Sequence, residues 1–405
     1  MSDKSLLILG MGLQGKGALH DVLEHRLFSR VTVADCGARY AGEMPGYEAK
    51  GVRAVSMDAN DTEKLRELIA QHDVVIELLP VEFAMKVGRL AAEAGVHLVS
   101  SMYYIGQSMT DPVRFRQMKA EMDDIDAVAR RRDCTLLIAF GMDPGLDLML
   151  GADALGRLDD IDHFYSYGAG FPEASACDNA LSYKFSWSPR GTLVSYYRAT
   201  KKIVDGQIVD VPAEKLYAPE NTHLLHEETL GCDLECYAAG NCQNFAEMFG
   251  ISGKVRNMNR FSARRIGHCA FWDVMVKCGF LREDPVNVNG TPISPLDFCT
   301  ALLTSQEQFW YRKDERDIGY IRVEARGSKA GKPVGVTHTI IDYADPAAGL
   351  TSMQRLVGFT VSIAAGLIAR GAFKERGVVM PMAMPLSLMQ PELAKRNITI
   401  VTKVE

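Results

Sequence analysis

Along the first third of the chain, short apolar runs alternate with longer stretches that carry apolar residues at helical spacing. Leu6-Leu7-Ile8-Leu9 leads straight into Gly10-Met11-Gly12-Leu13-Gln14-Gly15, and residues 13–28 follow as an amphipathic stretch. Further apolar runs cover residues 31–34, 52–58, 74–80, 97–102 and 134–140. Residues 61–70, 82–94 and 111–132 between them have helical spacing and capping residues. Six strands alternating with helices predict a doubly wound α/β sheet of Rossmann type.

The pattern changes after Asp147. One more helix is expected over 147–158, and strand-like stretches then dominate at 163–167, 193–197, 320–327 and 334–343. The last two are joined by the polar turn Lys329-Ala330-Gly331-Lys332 and read as a hairpin. Residues 351–369 read as a buried helix, and a proline-punctuated tail ends in short strands. A second, α+β domain with a mostly antiparallel sheet is predicted, with the boundary near residues 141–145.

The first apolar run and its glycines carry the clearest chemistry. Gly10 permits a tight turn, Gly12 lets backbone approach a pyrophosphate, and Gly15 lets the helix pack closely on the strand. The next run ends in Asp35, twenty residues after Gly15, where a carboxylate accepts hydrogen bonds from an adenosine ribose. The bland alternative is a tight strand–helix corner without a ligand. Ligands of such sheets sit at the carboxyl ends of the strands. That directs attention to Asp58, Leu79, Pro80, Ser101 and Tyr104. Asp58 could meet the adenine amino group or simply cap a helix.

Composition narrows the class of protein. The 405 residues are 47% hydrophobic and 24% charged, with a formal net charge of −6 and both signs interspersed. No basic footprint for nucleic acid is visible, and no membrane partner is expected: residues 357–365 are apolar but stop at Arg370. Cys232, Cys236 and Cys242 lack zinc-site spacing, so no metal is expected and the nine cysteines read as reduced thiols in a cytoplasm. His223 and His226, near Glu227 and Glu228, read as a solvated polar face before a ligand pair on a helix.

Three later clusters could face a substrate. The hinge from Gly141 to Asp147 carries Asp143, which could exchange protons or serve as a cap and turn. The run Tyr183-Lys184-Phe185-Ser186-Trp187-Ser188-Pro189-Arg190-Gly191 offers Arg190 and Lys184 to carboxylates and Trp187 to a flat ring; a structural loop is the alternative. Arg264-Arg265-Ile266-Gly267-His268 adds a histidine that titrates near neutrality unless it is simply hydrogen-bonded in place.

These runs, with Ser100-Ser101-Met102-Tyr103-Tyr104, resemble the saccharopine dehydrogenase family over nearly the whole chain. Its nearest branch is the NADP-dependent, L-glutamate-forming saccharopine reductase, with Lys-Phe-Ser-Trp-Ser the most distinctive run. The resemblance implies a Rossmann domain (1–142), a substrate-binding and dimerisation domain (143–358) and a C-terminal return to the first (359–405). It implies hydride transfer between NAD or NADP and the CH–NH bond of an amino-acid-derived small molecule, in a homodimer. Tyr104 (or Tyr103) and Asp143 match positions near the reacting atoms. Trp187 matches a cleft-lining tryptophan, and Arg190 and Arg264 match arginines of polar motifs.

Four positions depart from that branch. Gly168-Ala169-Gly170-Phe171-Pro172 stands where the branch has Cys-Gly-Gly-Leu-Pro, and Leu148 replaces a histidine. Asn241-Cys242-Gln243-Asn244 replaces Asn-Arg-Asp-Ser, leaving Asn241 where a substrate-contacting arginine follows in the branch. Asp35 would repel a 2′-phosphate and favours NAD, while Arg39 nearby reopens NADP. A lysine 6-dehydrogenase or carboxy-polyamine dehydrogenase is the alternative within the class, and a non-catalytic nucleotide sensor the alternative outside it.

Overall fold

The computed structural model describes residues 2–105 and 112–405, so Asp111, expected to start a helix, lies outside the described residues. The chain forms two compact units: Met1–Leu150 with Gln354–Thr399, and Gly151–Met353 with Ile400–Glu405.

The first unit opens with β1 (Ser2–Leu9), α1 (Leu13–Glu24), β2 (Phe28–Asp35), α2 (Ala38–Glu48), β3 (Arg53–Ser56) and α3 (Thr62–Ala70). It continues with β4 (Val74–Glu77), α4 (Val81–Ala94), β5 (His97–Ser100), α5 (Pro112–Arg131) and β6 (Thr135–Leu137). The strands lie in the order β3-β2-β1-β4-β5-β6, and every pairing is parallel. Strand order reverses between β1 and β4, which is where open α/β sheets bind ligands. Leu6 to Leu9 are each 0% exposed and β4 is buried throughout, as strands covered on both faces must be. Helix α2 has no counterpart in the apolar pattern: its sequence holds two glycines and Pro45, which mask its helical spacing.

Helix α6 (Leu146–Leu155) leads into the second unit. There β7 (Asp160–Pro172), α7 (Pro189–Ser195), β8 (Thr200–Val204), β9 (Gln207–Val211), β10 (Thr222–Glu227) and β11 (Cys232–Ala238) follow. Next come α8 (Cys242–Phe249), β12 (Val255–Arg265), α9 (His268–Lys277), β13 (Val286–Val288), β14 (Thr291–Ile293) and α10 (Pro295–Thr304). The long hairpin β15 (Asp317–Lys329) and β16 (Lys332–Tyr343) turns through Ala330 and Gly331, both at positive φ. The main sheet runs β10-β11-β12-β7-β15-β16, antiparallel except where β12 pairs with β7. Residues 193–197, expected as a strand, instead fall on α7 and its C-cap. Ser188 caps that helix by accepting from the Gly191 amide, and Pro189 occupies its first turn. His223 and His226 lie on strand β10, where a three-residue spacing points them to opposite faces, so they form no ligand pair on a helix.

The tail comprises α11 (Ser352–Gln354), a π-helical turn (Arg355–Phe359), α12 (Thr360–Ala369), β17 (Gly377–Val379), α13 (Leu386–Ala394) and β18 (Ile400–Val404). Ser352–Ala369 is one helix long and apolar enough to cross a membrane, close to the helix expected over 351–369. Its window is 83% buried, and α12 packs on β1, β4, β5 and α1. β17 joins the first sheet beside β6 in parallel. Arg396 grips Asp21 of α1 bidentately, at 2.6 and 2.9 Å, with both side chains buried. The return is not complete: β18, expected with the first domain, pairs antiparallel with β16 of the second unit.

Candidate active site

The turn between β1 and α1 is built for close approach of a phosphate. Gly10 has φ +91°, and a Cβ there would meet the Leu78 carbonyl oxygen at 2.6 Å, so the turn sits tight against the β4 end. A Cβ on Gly15 would overlap the Gly10 carbonyl oxygen, whereas one on Gly12 meets nothing within 4 Å. Open space therefore lies over Gly12, at the N-terminus of α1. That terminus has no side-chain cap and no acidic residue in its first turn, leaving its amides free to meet an anion. Leu13 is exposed beside it. The buried Gln14 Oε1 has no hydrogen-bond partner among the described residues.

Asp35 closes β2 next to this turn. Its Oδ2 accepts from the Met11 amide at 2.5 Å and its Oδ1 from the Cys36 amide at 2.6 Å, which fixes the carboxylate beside the glycines. Met11, Gly12, Lys16, Asp35, Arg39 and Glu43 line one cleft there.

At the other strand ends, Leu79 is buried and its amide donates to Glu77 Oε1 at 2.8 Å; Pro80 is exposed and precedes α4. Ser101 is half-buried. Glu77 itself is fully buried, and its Oε2 accepts from the Ser100 hydroxyl at 2.5 Å. Burial pushes its pKa up to about 7, against the pull of those two hydrogen bonds. Asp143 is exposed beyond β6, and the Asp147 carboxylate behind it accepts from the Gly145 amide at 2.8 Å.

In the second unit, Arg264 on β12 is 7% exposed. Its Nη1 donates to the Ala263 carbonyl at 2.8 Å, and its Nε lies 3.4 Å from the Tyr196 hydroxyl. Among the described residues no carboxylate stands within ion-pair distance of it. Its guanidinium sits near the faces of Tyr183 and Tyr196, at 5.5 and 5.7 Å. His268, at the start of α9, stacks on Tyr237 and meets Tyr196 edge-on. Burial, and then the Arg264 charge, push its pKa well below the ordinary value, so the ring is neutral. Its Nε2 finds no partner among the described residues. A buried cation with no counter-charge is costly, and an anionic ligand would relieve it.

Two family models match the chain: "Saccharopine dehydrogenase NADP binding domain" over residues 6–130, and "Saccharopine dehydrogenase C-terminal domain" over residues 141–398. The chain belongs to the saccharopine dehydrogenase family. It is similar to the saccharopine dehydrogenase [NADP(+), L-glutamate-forming] of Pyricularia oryzae, at 23% identity over 94% of each chain. The Saccharomyces cerevisiae enzyme of the same name is 24% identical, over 93% of this chain and 94% of the relative. The solved apo structure of the L-Glu-forming saccharopine dehydrogenase from Saccharomyces cerevisiae shares the fold. Its TM-score is 0.81 at 23% identity, covering 99% of this chain and all of that one.

Within this family architecture, several residues expected at the site are engaged elsewhere. Lys184 is 1% exposed, and its Nζ is clamped between Asp178 (2.8 Å) and Glu315 (2.7 Å), with Arg312 closing the network. It is a buried structural cation. Arg190 is half-exposed and held by Glu283 and Asp297 at 2.8 and 3.0 Å. The Asn241 side chain accepts from the Gln243 and Asn244 amides as the N-cap of α8. Asp58 is exposed, and its Oδ1 accepts from both the backbone amide and the side chain of Asn60. Tyr104 is 2% exposed, with its hydroxyl so close to α4 that a Cβ on Gly88 would overlap it. Burial raises its pKa, and the hydroxyl finds no hydrogen-bond partner among the described residues. Trp187 is half-buried beside Gly191. Pattern reading placed Leu13 and Gln14 at the cofactor turn but missed Glu43; the four-residue Arg39–Glu43 spacing was the available signal for it.

Proposed function

We propose that the protein is an NAD(P)-dependent oxidoreductase that oxidises the CH–NH bond of saccharopine. The observation that carries the substrate reading is Arg264, a buried guanidinium without an acidic partner, which suits one carboxylate of a dicarboxylic or tricarboxylic amine. The glycine turn and Asp35 fit a dinucleotide, with the pyrophosphate over Gly12 and the adenosine ribose at Asp35. The curated relatives carry this activity in their names.

A bound nicotinamide would supply the acceptor for a hydride leaving the substrate carbon. The substrate nitrogen gives up its proton, and water adds to the resulting imine to release glutamate and an aldehyde. Within this reaction the α1 N-terminus would hold the diphosphate, and Arg264 would anchor a carboxylate and so orient the amine. The neutral His268 ring offers a hydrogen bond beside that carboxylate without competing for its charge. Asp143, exposed at the end of the sheet where Tyr104 is buried, takes the proton-handling role. A homodimer fits the exposed apolar residues Phe271 and Val274 on α9 and Phe298 and Leu302 on α10. A cytoplasmic setting fits nine unbridged cysteines.

Supplying saccharopine with NAD or NADP and following the reduced nicotinamide tests this directly. Turnover with stoichiometric glutamate is expected. Faster turnover of lysine or a carboxylated polyamine than of saccharopine would overturn the substrate assignment.

A further inference from the structure

The nucleotide cleft contains a charge arrangement that the reaction itself does not require. Glu43 projects from α2 into the cleft that Gly12 and Asp35 line. Its Oε1 accepts from Lys16 Nζ at 2.7 Å and from Arg39 Nε at 3.3 Å, while its Oε2 accepts from the Tyr47 hydroxyl at 2.8 Å. Lys16 lies on the first turns of α1, and Arg39 on the same helix as Glu43, four residues earlier. The Lys16 hydrogen bond, ahead of those from Tyr47 and Arg39, holds the Glu43 carboxyl below the usual range, so it is ionised at neutral pH.

The cleft thus holds two carboxylates and two cations, and both cations already have an anionic partner. A ribose with a free 2′-hydroxyl brings no charge to this balance and can donate to Asp35. A 2′-phosphate would add close to two negative charges beside Asp35. Lys16 and Arg39 could answer them only by leaving Glu43. We propose that Glu43 sets nucleotide choice: by holding Lys16 and Arg39, it makes the cleft prefer a dinucleotide with a 2′-hydroxyl over one with a 2′-phosphate. This rests on the dinucleotide reading of the same turn.

Dissociation constants for NADH and NADPH, measured by calorimetric titration, test it without any turnover. The wild type should bind NADH at least about tenfold more tightly than NADPH. Glu43→Gln keeps an acceptor for Tyr47 but removes the charge. It should tighten NADPH about tenfold and leave NADH within about twofold. Adding Lys16→Gln to that variant should abolish the gain. A wild type that prefers NADPH, or a Glu43→Gln variant with an unchanged NADPH-to-NADH ratio, overturns the assignment while leaving the dinucleotide site standing. Failure of the wild type to bind either nucleotide overturns both.

Discussion

In the first unit the atoms offered to a ligand belong to the backbone of one turn, residues 10–15, supported by a single carboxylate at Asp35. In the second they are side chains from separate elements: Tyr196 after α7, Tyr237 on β11, Arg264 on β12 and His268 on α9. In the proposed reading the turn would meet what all nicotinamide dinucleotides share, the diphosphate, and this needs only small residues at fixed spacing. In the same reading the aromatic box around Arg264 would select for charge, because a buried cation without an ion pair is costly until an anion meets it. Generic binding is therefore local in the sequence, and specificity is dispersed through it.

Gly12→Val separates binding from folding in the first unit. The protein itself leaves space for the side chain, so thermal stability should hold while dinucleotide affinity falls by at least about a hundredfold, as a valine fills the pyrophosphate position. Gly15→Val, whose Cβ overlaps the Gly10 carbonyl, should instead lower stability. Retained affinity in the Gly12 variant, by titration, would break the account of the turn.

Lys184→Met tests whether every buried cation of the second unit serves the substrate. It leaves the buried Glu315 side chain and the half-exposed Asp178 with Arg312 as their remaining cationic partner, so denaturant unfolding should show a loss of about 1–3 kcal/mol, with nucleotide affinity unchanged. A stable variant with a large rise in KM would move Lys184 into the site.

Arg264→Met should do the reverse. Removing a cation that has no ion pair should leave stability level or slightly higher, while kcat/KM for saccharopine falls by the factor that corresponds to about 2–4 kcal/mol of lost transition-state stabilisation. Arg190→Ala marks the low end of the scale. Its ion pairs are solvent-exposed, so a stability change below about 1 kcal/mol and an unaltered KM are expected. A clear KM effect would return it to the substrate set.

The same contrast explains which features could be read from the chain. The β1–α1 turn was legible because its determinants are neighbours, and the alternating blocks gave the parallel sheet. α2 was hidden by its glycines and Pro45, and with it Glu43. The strand expected at 193–197 became α7 and its C-cap because the Ser188-Pro189 start signal outweighed a short apolar run. Lys184 and Arg190 looked like substrate ligands because their partners are remote: Glu315 is 131 positions from Lys184, and Asp297 is 107 from Arg190. Asn241 kept a motif position but serves as a helix cap, a role its residue type equally suits. Arg264 was visible as a residue, but its lack of an ion pair emerges only from the folded contacts: Glu235, opposite it in the strand register, accepts from the Cys269 amide instead.

The central claim is direct hydride transfer from the CH–NH carbon of saccharopine, and isotope transfer tests it most directly. Saccharopine carrying deuterium at that carbon is supplied with the oxidised dinucleotide, and the reduced product is recovered for mass analysis. The account predicts deuterium in the reduced nicotinamide, one atom for each glutamate released. Glutamate release with no deuterium in the nicotinamide, or tight nucleotide binding with no turnover at all, would contradict it.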